Sequence, residues 1–195
     1  MTDYASAYDY KSFARIPDDD TDDDTEITLA LAAVKATIDL ATNRTFDAAE
    51  DTATERFYPV YYNKSIGRYQ ADIDDISDDT DFAVEANDAD ITADCTLAPR
   101  NAVAKGMPYT TIIFSPGAVT ALTEVSVTAL WGWDSVPLAI KNATLLQANR
   151  LMKRRDAPFG VAGSPDLGSE LRLLAKLDPD VDVLIRPYIR WWSAA

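Results

Sequence analysis

The chain has 195 residues, 47% of them apolar and four of them Trp, with no His, one Cys and a formal net charge of −14. Such a length fits one large domain or a domain carrying an inserted one, with a core that buries roughly 70% of the unfolded surface. The missing histidines exclude Ser–His–Asp and Cys–His nucleophilic sites within the chain, and would leave zinc a single thiolate plus carboxylates, which is not how stable zinc sites are built.

The charge is uneven. Residues 1–99 carry −17 and residues 100–195 carry +3. An acidic surface repels DNA phosphates, so specific nucleic-acid binding is disfavoured. Such a surface solubilises the protein, or forms an acidic wall past which DNA moves without sticking. Cys95 has no partner for an intrachain disulfide and reads as a small buried hydrophobe. The opening MTDYASAYDY has neither a basic nor an apolar signal region, and no run approaches the ~18 apolar residues of a membrane helix. A soluble protein made in the cytosol, without membrane contact, is expected.

In chain order, Tyr8 to Ile16 predicts a short helix with Tyr10, Phe13 and Ile16 on one side, ended by Pro17. An acidic run, residues 18–24, follows. A long helix is predicted from about Asp24 to Asn43, capped by Asp23 with Glu26 completing a capping box. Its 4-3-4-3 spacing of Ile27, Leu31, Val34, Ile38 and Ala41 gives one apolar face. Leu29, Ala33, Ala36 and Leu40 give a second stripe, so the helix is expected to meet two partners.

From Thr54 to Trp133 the pattern changes to short strands: Arg56–Tyr62, Arg68–Ile73, Asp81–Glu85, Tyr109–Phe114 and Glu124–Leu130, punctuated by Gly and Pro. A second long helix is predicted over Val136–Arg155, with Ser135 as cap, Pro137 in its first turn and Lys153-Arg154-Arg155 at its C-terminal end. After a Gly/Pro-rich loop, residues 169–177 read as extended and Asp180–Ile185 as a short helix behind Pro179. Trp131-Gly132-Trp133 reads as core at a strand–helix junction.

The chemical constellations fail on spacing. An EF-hand loop needs Gly at position 6 and Glu at 12; starting at Asp18 these are Asp23 and Leu29, and starting at Asp20 they are Thr25 and Leu31. The second cluster, Asp72, Asp74, Asp75, Asp78, Asp79 and Asp81, also lacks the Gly. Both read as solvated loops, with a weak divalent-cation site as the alternative for the second. GVAGSPDLG lacks the Lys-Ser/Thr of a phosphate loop. No catalytic residue, metal or cofactor is expected. The tail Arg186, Tyr188, Arg190, Trp191 and Trp192 concentrates the residue types that dominate interface energies and reads as partner-binding.

The segment WGWDSVPLAIKNATLLQANRLMKRRDAPFGVAG, followed by LDPDVDVLIRPYIR, resembles the head–tail connector, or adaptor, family of long-tailed bacteriophages. The Ile-Pro-Asp-Asp opening, the Ala-rich helix ending Asn-Arg-Thr-Phe, and TLAPRNAVAKGMPYTTI extend the resemblance over most of the chain; residues 71–95 carry least of it. The resemblance implies a non-enzymatic structural protein of the virion neck. It would form a homo-oligomeric ring, usually a dodecamer, that attaches to the portal protein after packaging and extends the channel through which genomic DNA passes. It would also dock the stopper or tail-completion protein. Portal contact is assigned to Arg186, Tyr188, Arg190, Trp191 and Trp192. The second faces of the long helices, Leu29, Ala33, Ala36, Leu40, Ala139 and Ala143, are assigned to subunit or intra-core contact, and loop contact to Arg154, Arg155, Gly160 and Gly163. The alternatives are another neck component such as a stopper, or an acidic cation-dependent binding module.

The expected fold is α+β: a helical bundle with a small antiparallel sheet or barrel inserted between two long helices, and an extended C-terminal tail. Residues 1–53 hold the N-terminal helices, 54–133 the inserted β domain, 134–185 the C-terminal helices and 186–195 the docking tail.

Overall fold

The computed structural model describes residues 3–120, 124–156, 161–162, 171–172 and 177–191. The chain is mixed α+β and divides into two compact units, Met1–Asn43 with Val136–Arg190, and Arg44–Ser135 with Trp191–Ala195.

The first unit is helical: α1 (Ala7–Ala14), α2 (Asp24–Thr42), α3 (Leu138–Asp156) and α4 (Pro179–Ile185), with α3 packed against each of the other three. Ser6 and Asp9 form a reciprocal capping box on α1. The left-handed Arg15 ends that helix two residues before Pro17. Tyr10 is buried as its spacing predicts, but Phe13 is largely exposed. On α2, Ile27, Leu31, Val34 and Ile38 are buried, each contributing roughly 1.5–3 kcal/mol of hydrophobic burial. The stripe ends on buried Thr42, whose hydroxyl donates to the Ile38 carbonyl, while Ala41 faces out.

Asp23 does not cap α2 through its side chain. Its carboxylate instead accepts from Arg155 at 2.8 Å, a bond in which both donor and acceptor are charged. Helix α3 starts at Leu138, two residues later than expected, and the Pro137 carbonyl accepts its first bond from Lys141. Asp178 caps α4 and pairs with Arg150 of α3 at 2.7 Å.

The second unit holds two four-stranded antiparallel sheets, where a single small sheet or barrel was expected. The strands are β1 (Thr54–Pro59), β2 (Tyr61–Asn63), β3 (Arg68–Ile76), β4 (Ala83–Ala86), β5 (Ala89–Asp90), β6 (Cys95–Ala98), β7 (Tyr109–Phe114) and β8 (Glu124–Ala129). One sheet has the order β1-β8-β4-β5 and the other β2-β3-β7-β6. The aromatic run read as one strand is two: β1 and β2 join different sheets, with the buried Val60 at the crossing. Tyr58, Val60, Ala71, Ile73, Val84, Ile112, Phe114, Val125 and Val127 build one shared core. Beyond α3, β9 (Val161–Ala162) pairs with β10 (Leu171–Arg172); the extended reading of residues 169–177 otherwise falls outside the described residues.

Candidate functional site

The aspartates of the first acidic run tie helices together. The buried Lys11 of α1 pairs with Asp24 at 2.6 Å and donates to the Asp18 carbonyl. Asp23 pairs with Arg155 of α3, which holds the carboxyl of Asp23 below its ordinary value. Asp9 is likewise lowered, first by its hydrogen bond from Lys141 of α3 at 2.8 Å, then by the Ser6 amide. At the other end of α2, Lys35 lies over the Tyr4 ring and pairs with Asp39, which also accepts from the Tyr4 hydroxyl.

The second acidic cluster is divided among separate partners. Asp72 accepts from Tyr61, Gln70 and Thr111. Asp74 accepts from Arg56 and Tyr58, and burial pushes the Tyr58 hydroxyl well above its ordinary range, so it stays a donor. The buried Asp75 pairs with Arg44 and accepts from the Trp133 indole at 2.9 Å. Among the described residues, no three acidic or cysteine side chains converge as metal ligands. Burial pushes the half-buried Cys95 thiol up to about 12.

Trp131-Gly132-Trp133 is the junction that the sequence reading placed in the core. Trp131 packs against Tyr58 and donates to the Thr54 carbonyl; Trp133 packs against Phe46 and donates to the Thr45 carbonyl. Their backbones bond to Asp47, Ala49 and Glu50, and the Gly132 amide bonds to the Asp75 carbonyl. Gly132 has φ +131, and a Cβ there would sit 2.8–2.9 Å from Ala48 and Ala49 backbone atoms. Only glycine fits so close a crossing. Beside this junction is a cavity of about 280 Å³ lined by Ser77, Asp78, Val103, Met107, Pro108 and Asp134 among others.

The assembly residues expected from the sequence fall into three groups. Leu29, Ala33, Ala36 and Leu40 lie on the exposed side of α2, with Leu29 66% and Leu40 81% exposed. From Thr28 to Ala41 every exposed position of α2 is Leu, Ala or Thr, a stretch of roughly 20 Å at 1.5 Å per residue. The hydroxyls of Thr28 and Thr37 donate back to their own helix, so even the polar positions offer no spare donor. Ala139 is half-buried at the start of α3, whereas Ala143 is fully buried inside the chain and leaves no methyl surface for a neighbour.

The C-terminal set is only partly outward. Residues Arg186–Tyr188 form a 3₁₀ turn rather than an extended tail, and the Arg190 amide donates to the Thr42 carbonyl at 2.8 Å. Asn43 donates to the Arg190 carbonyl, while Arg186 pairs with Asp182. Tyr188 and Arg190 are half-buried; Trp191 is 85% exposed. Trp192 lies outside the described residues, as do Gly160 and Gly163. Arg154 is half-buried, and the expected loop contact of Arg155 competes with its ion pair to Asp23. The sequence reading missed the ties of Lys11 and Arg44; their only signal was scarcity, since residues 1–99 contain just seven basic side chains.

Among the described residues, no helix is long and apolar enough to cross a membrane. No family model matches the chain, and no curated protein matches it. Its fold is similar to that of a chain in the neck of an empty GTA particle computed with C6 symmetry. The TM-score is 0.56 at 14% identity, covering 96% of this chain and 90% of that one.

Proposed function

We propose that the chain is a non-enzymatic structural protein of a phage-like particle, the head-to-tail adaptor of the neck. In this reading copies of the chain form a ring on the tail side of the portal, extend the DNA channel and dock the stopper or tail proteins. The observation that carries the proposal is the fold likeness to a neck chain over nearly the full length of both. The sixfold symmetry of that neck agrees with a ring, and a dodecamer would place two copies in each symmetry unit.

The outward face of α2 supports self-assembly. An uncharged stripe carrying two exposed leucines costs solubility in a monomer and gains from a neighbour. Its outward residues Leu29, Ala33, Ala36 and Leu40 are the proposed subunit contact, with Ala139 at its edge. The proposed portal contact centres on Trp191 and Arg186, the outward members of the C-terminal set; the backbone bonds of Arg190 to Thr42 and Asn43 hold the segment in place.

The portal assignment is tested by adding purified chain to DNA-filled, tailless heads that lack it. Wild-type chain is expected to bind the heads and restore tail joining, and a chain truncated after Arg190 or carrying Trp191→Ala to lose binding while staying folded. Normal attachment by both variants would overturn the assignment. Truncation after Arg190 is a cleaner test than removal of residues 186–195, because it spares the bonds to Thr42 and Asn43.

A further inference from the structure

The turn joining β2 to β3 is built as a rigid tip. Asn63 accepts the Ser65 amide on its side-chain oxygen and the Gly67 amide on its carbonyl, and its side-chain nitrogen donates to Gln70. Gly67 takes the left-handed φ of +64 that closes the turn. Tyr62 stands edge-on to Tyr69 at 5.2 Å. This scaffold holds Lys64, Ile66 and Arg68 out in solvent. Of the seven basic residues in the first 99, four have an acidic partner within the fold. Arg15, Lys64 and Arg68 have none among the described residues, and of these only Lys64 and Arg68 share one turn. Exposed Tyr and Arg on a pre-ordered loop lose little entropy on docking and dominate interface energies.

The same unit presents the opposite surface elsewhere. On the outer face of the β1-β8-β4-β5 sheet, Phe57 is 61% exposed. The register sets Phe57 beside Ser126 and Ser126 beside Glu85, with Glu124 opposite Pro59 and Glu55 opposite Thr128. A concavity of about 340 Å³ is floored by Phe57 and Ser126 and walled by Glu55, Glu85, Asp88 and Glu124. None of these four carboxylates has a basic partner among the described residues. An aromatic face ringed by carboxylates suits a cation on an aromatic or aliphatic stem.

We infer that the Tyr62–Arg68 tip of one copy docks on the Phe57-centred sheet face of a second copy. Charge complementarity selects that occupant: copies with a net charge of −14 repel one another unless a basic patch meets an acidic one. Within one chain the tip belongs to the β2-β3-β7-β6 sheet and Phe57 to the β1-β8-β4-β5 sheet, and neither Lys64 nor Arg68 pairs with the carboxylates around Phe57. The contact joins two different patches and is therefore head-to-tail, the kind that leaves no patch unused only when a ring closes. This inference rests on the ring reading and adds a specific contact to it.

The test is sedimentation of the full chain at low and high salt, with circular dichroism as the folding control. Wild-type chain is expected to self-associate and to weaken as salt rises. The double variant K64E/R68E, and separately E85K/E124K, should each raise the concentration needed for assembly by about tenfold or more. All four substitutions together should restore it. Wild-type-like assembly of K64E/R68E, failure of the combined variant to regain assembly, or a wild-type chain that stays monomeric would each overturn the contact. Absence of the chain from purified necks would instead overturn the neck reading, so the two failures are distinguishable.

Discussion

At the scale of single residues, Gly132 is the most constrained position described. A methyl there would meet backbone on two neighbouring residues at a φ that L side chains rarely adopt. Gly132→Ala is expected to cost about 3 kcal/mol or more, read as a fall in the urea midpoint of the β unit. Gly106 is the control: it shares a positive φ but has open space around it, so Gly106→Ala should cost only roughly 1 kcal/mol. Equal losses at the two sites would show that the close crossing is not what fixes Gly132. Cys95 makes a second residue-level test. With its thiol held up at about 12, alkylation at pH 8 in the folded chain should run at least about tenfold slower than in urea. Equal rates would show a thiol free of that burial.

At the scale of elements, α1 and α3 are joined through Asp9–Lys141, and α3 meets the start of α2 through Asp23–Arg155. Both carboxyls are held below the ordinary 3.8, so the unfolded chain binds their protons more readily. Their stabilisation is complete above the unfolded value and is lost as pH falls through the lowered folded values. Lys141→Met should therefore flatten the acid dependence of helical-unit stability below about pH 4, with its stability deficit largest at neutral pH. A deficit that grows on acidification would contradict this sign. The outward stripe of α2 gives another test. Ala36→Asp should cost the isolated chain only ~0.7 kcal/mol in helix propensity while blocking ring assembly in solution. Unimpaired assembly would remove that face from the subunit contact.

The same elements show what could be read without coordinates. The faces of α2 were legible because Ile27, Leu31, Val34 and Ile38 repeat with the helix. The ranges of β7 and β8 followed from β-branched runs flanked by turn residues. The crossing from β1 to β2 was hidden because Tyr58 and Val60 both face the core, so the alternation runs unbroken from one sheet into the other. Strands β5 and β6 left little pattern: Ala89 and Asp90 are both exposed, and Cys95–Ala98 is half-buried at every position. The cap at Asp23 was misread because its rival, Arg155, lies 132 residues away. The outward stripe on α2 was legible as a second apolar face, whereas the proposed contact of Tyr62, Lys64 and Phe57 depends on which sheet each strand joins.

At the scale of the whole molecule, the acidic half and the uncharged face of α2 make opposing demands. Net charge keeps the chain soluble and opposes non-specific association, while the stripe and the complementary patches favour association of aligned copies. An adaptor that assembles at one place in a particle needs both properties. The central claim is that this chain forms the ring directly beneath the portal. A reconstruction of the intact neck of the parent particle tests it most directly. The chain is expected in a ring against the tail face of the portal, with Trp191 at the portal contact and α2 at the subunit contact. A portal-adjacent ring traced by another chain, with this one a layer further down or absent, would contradict it.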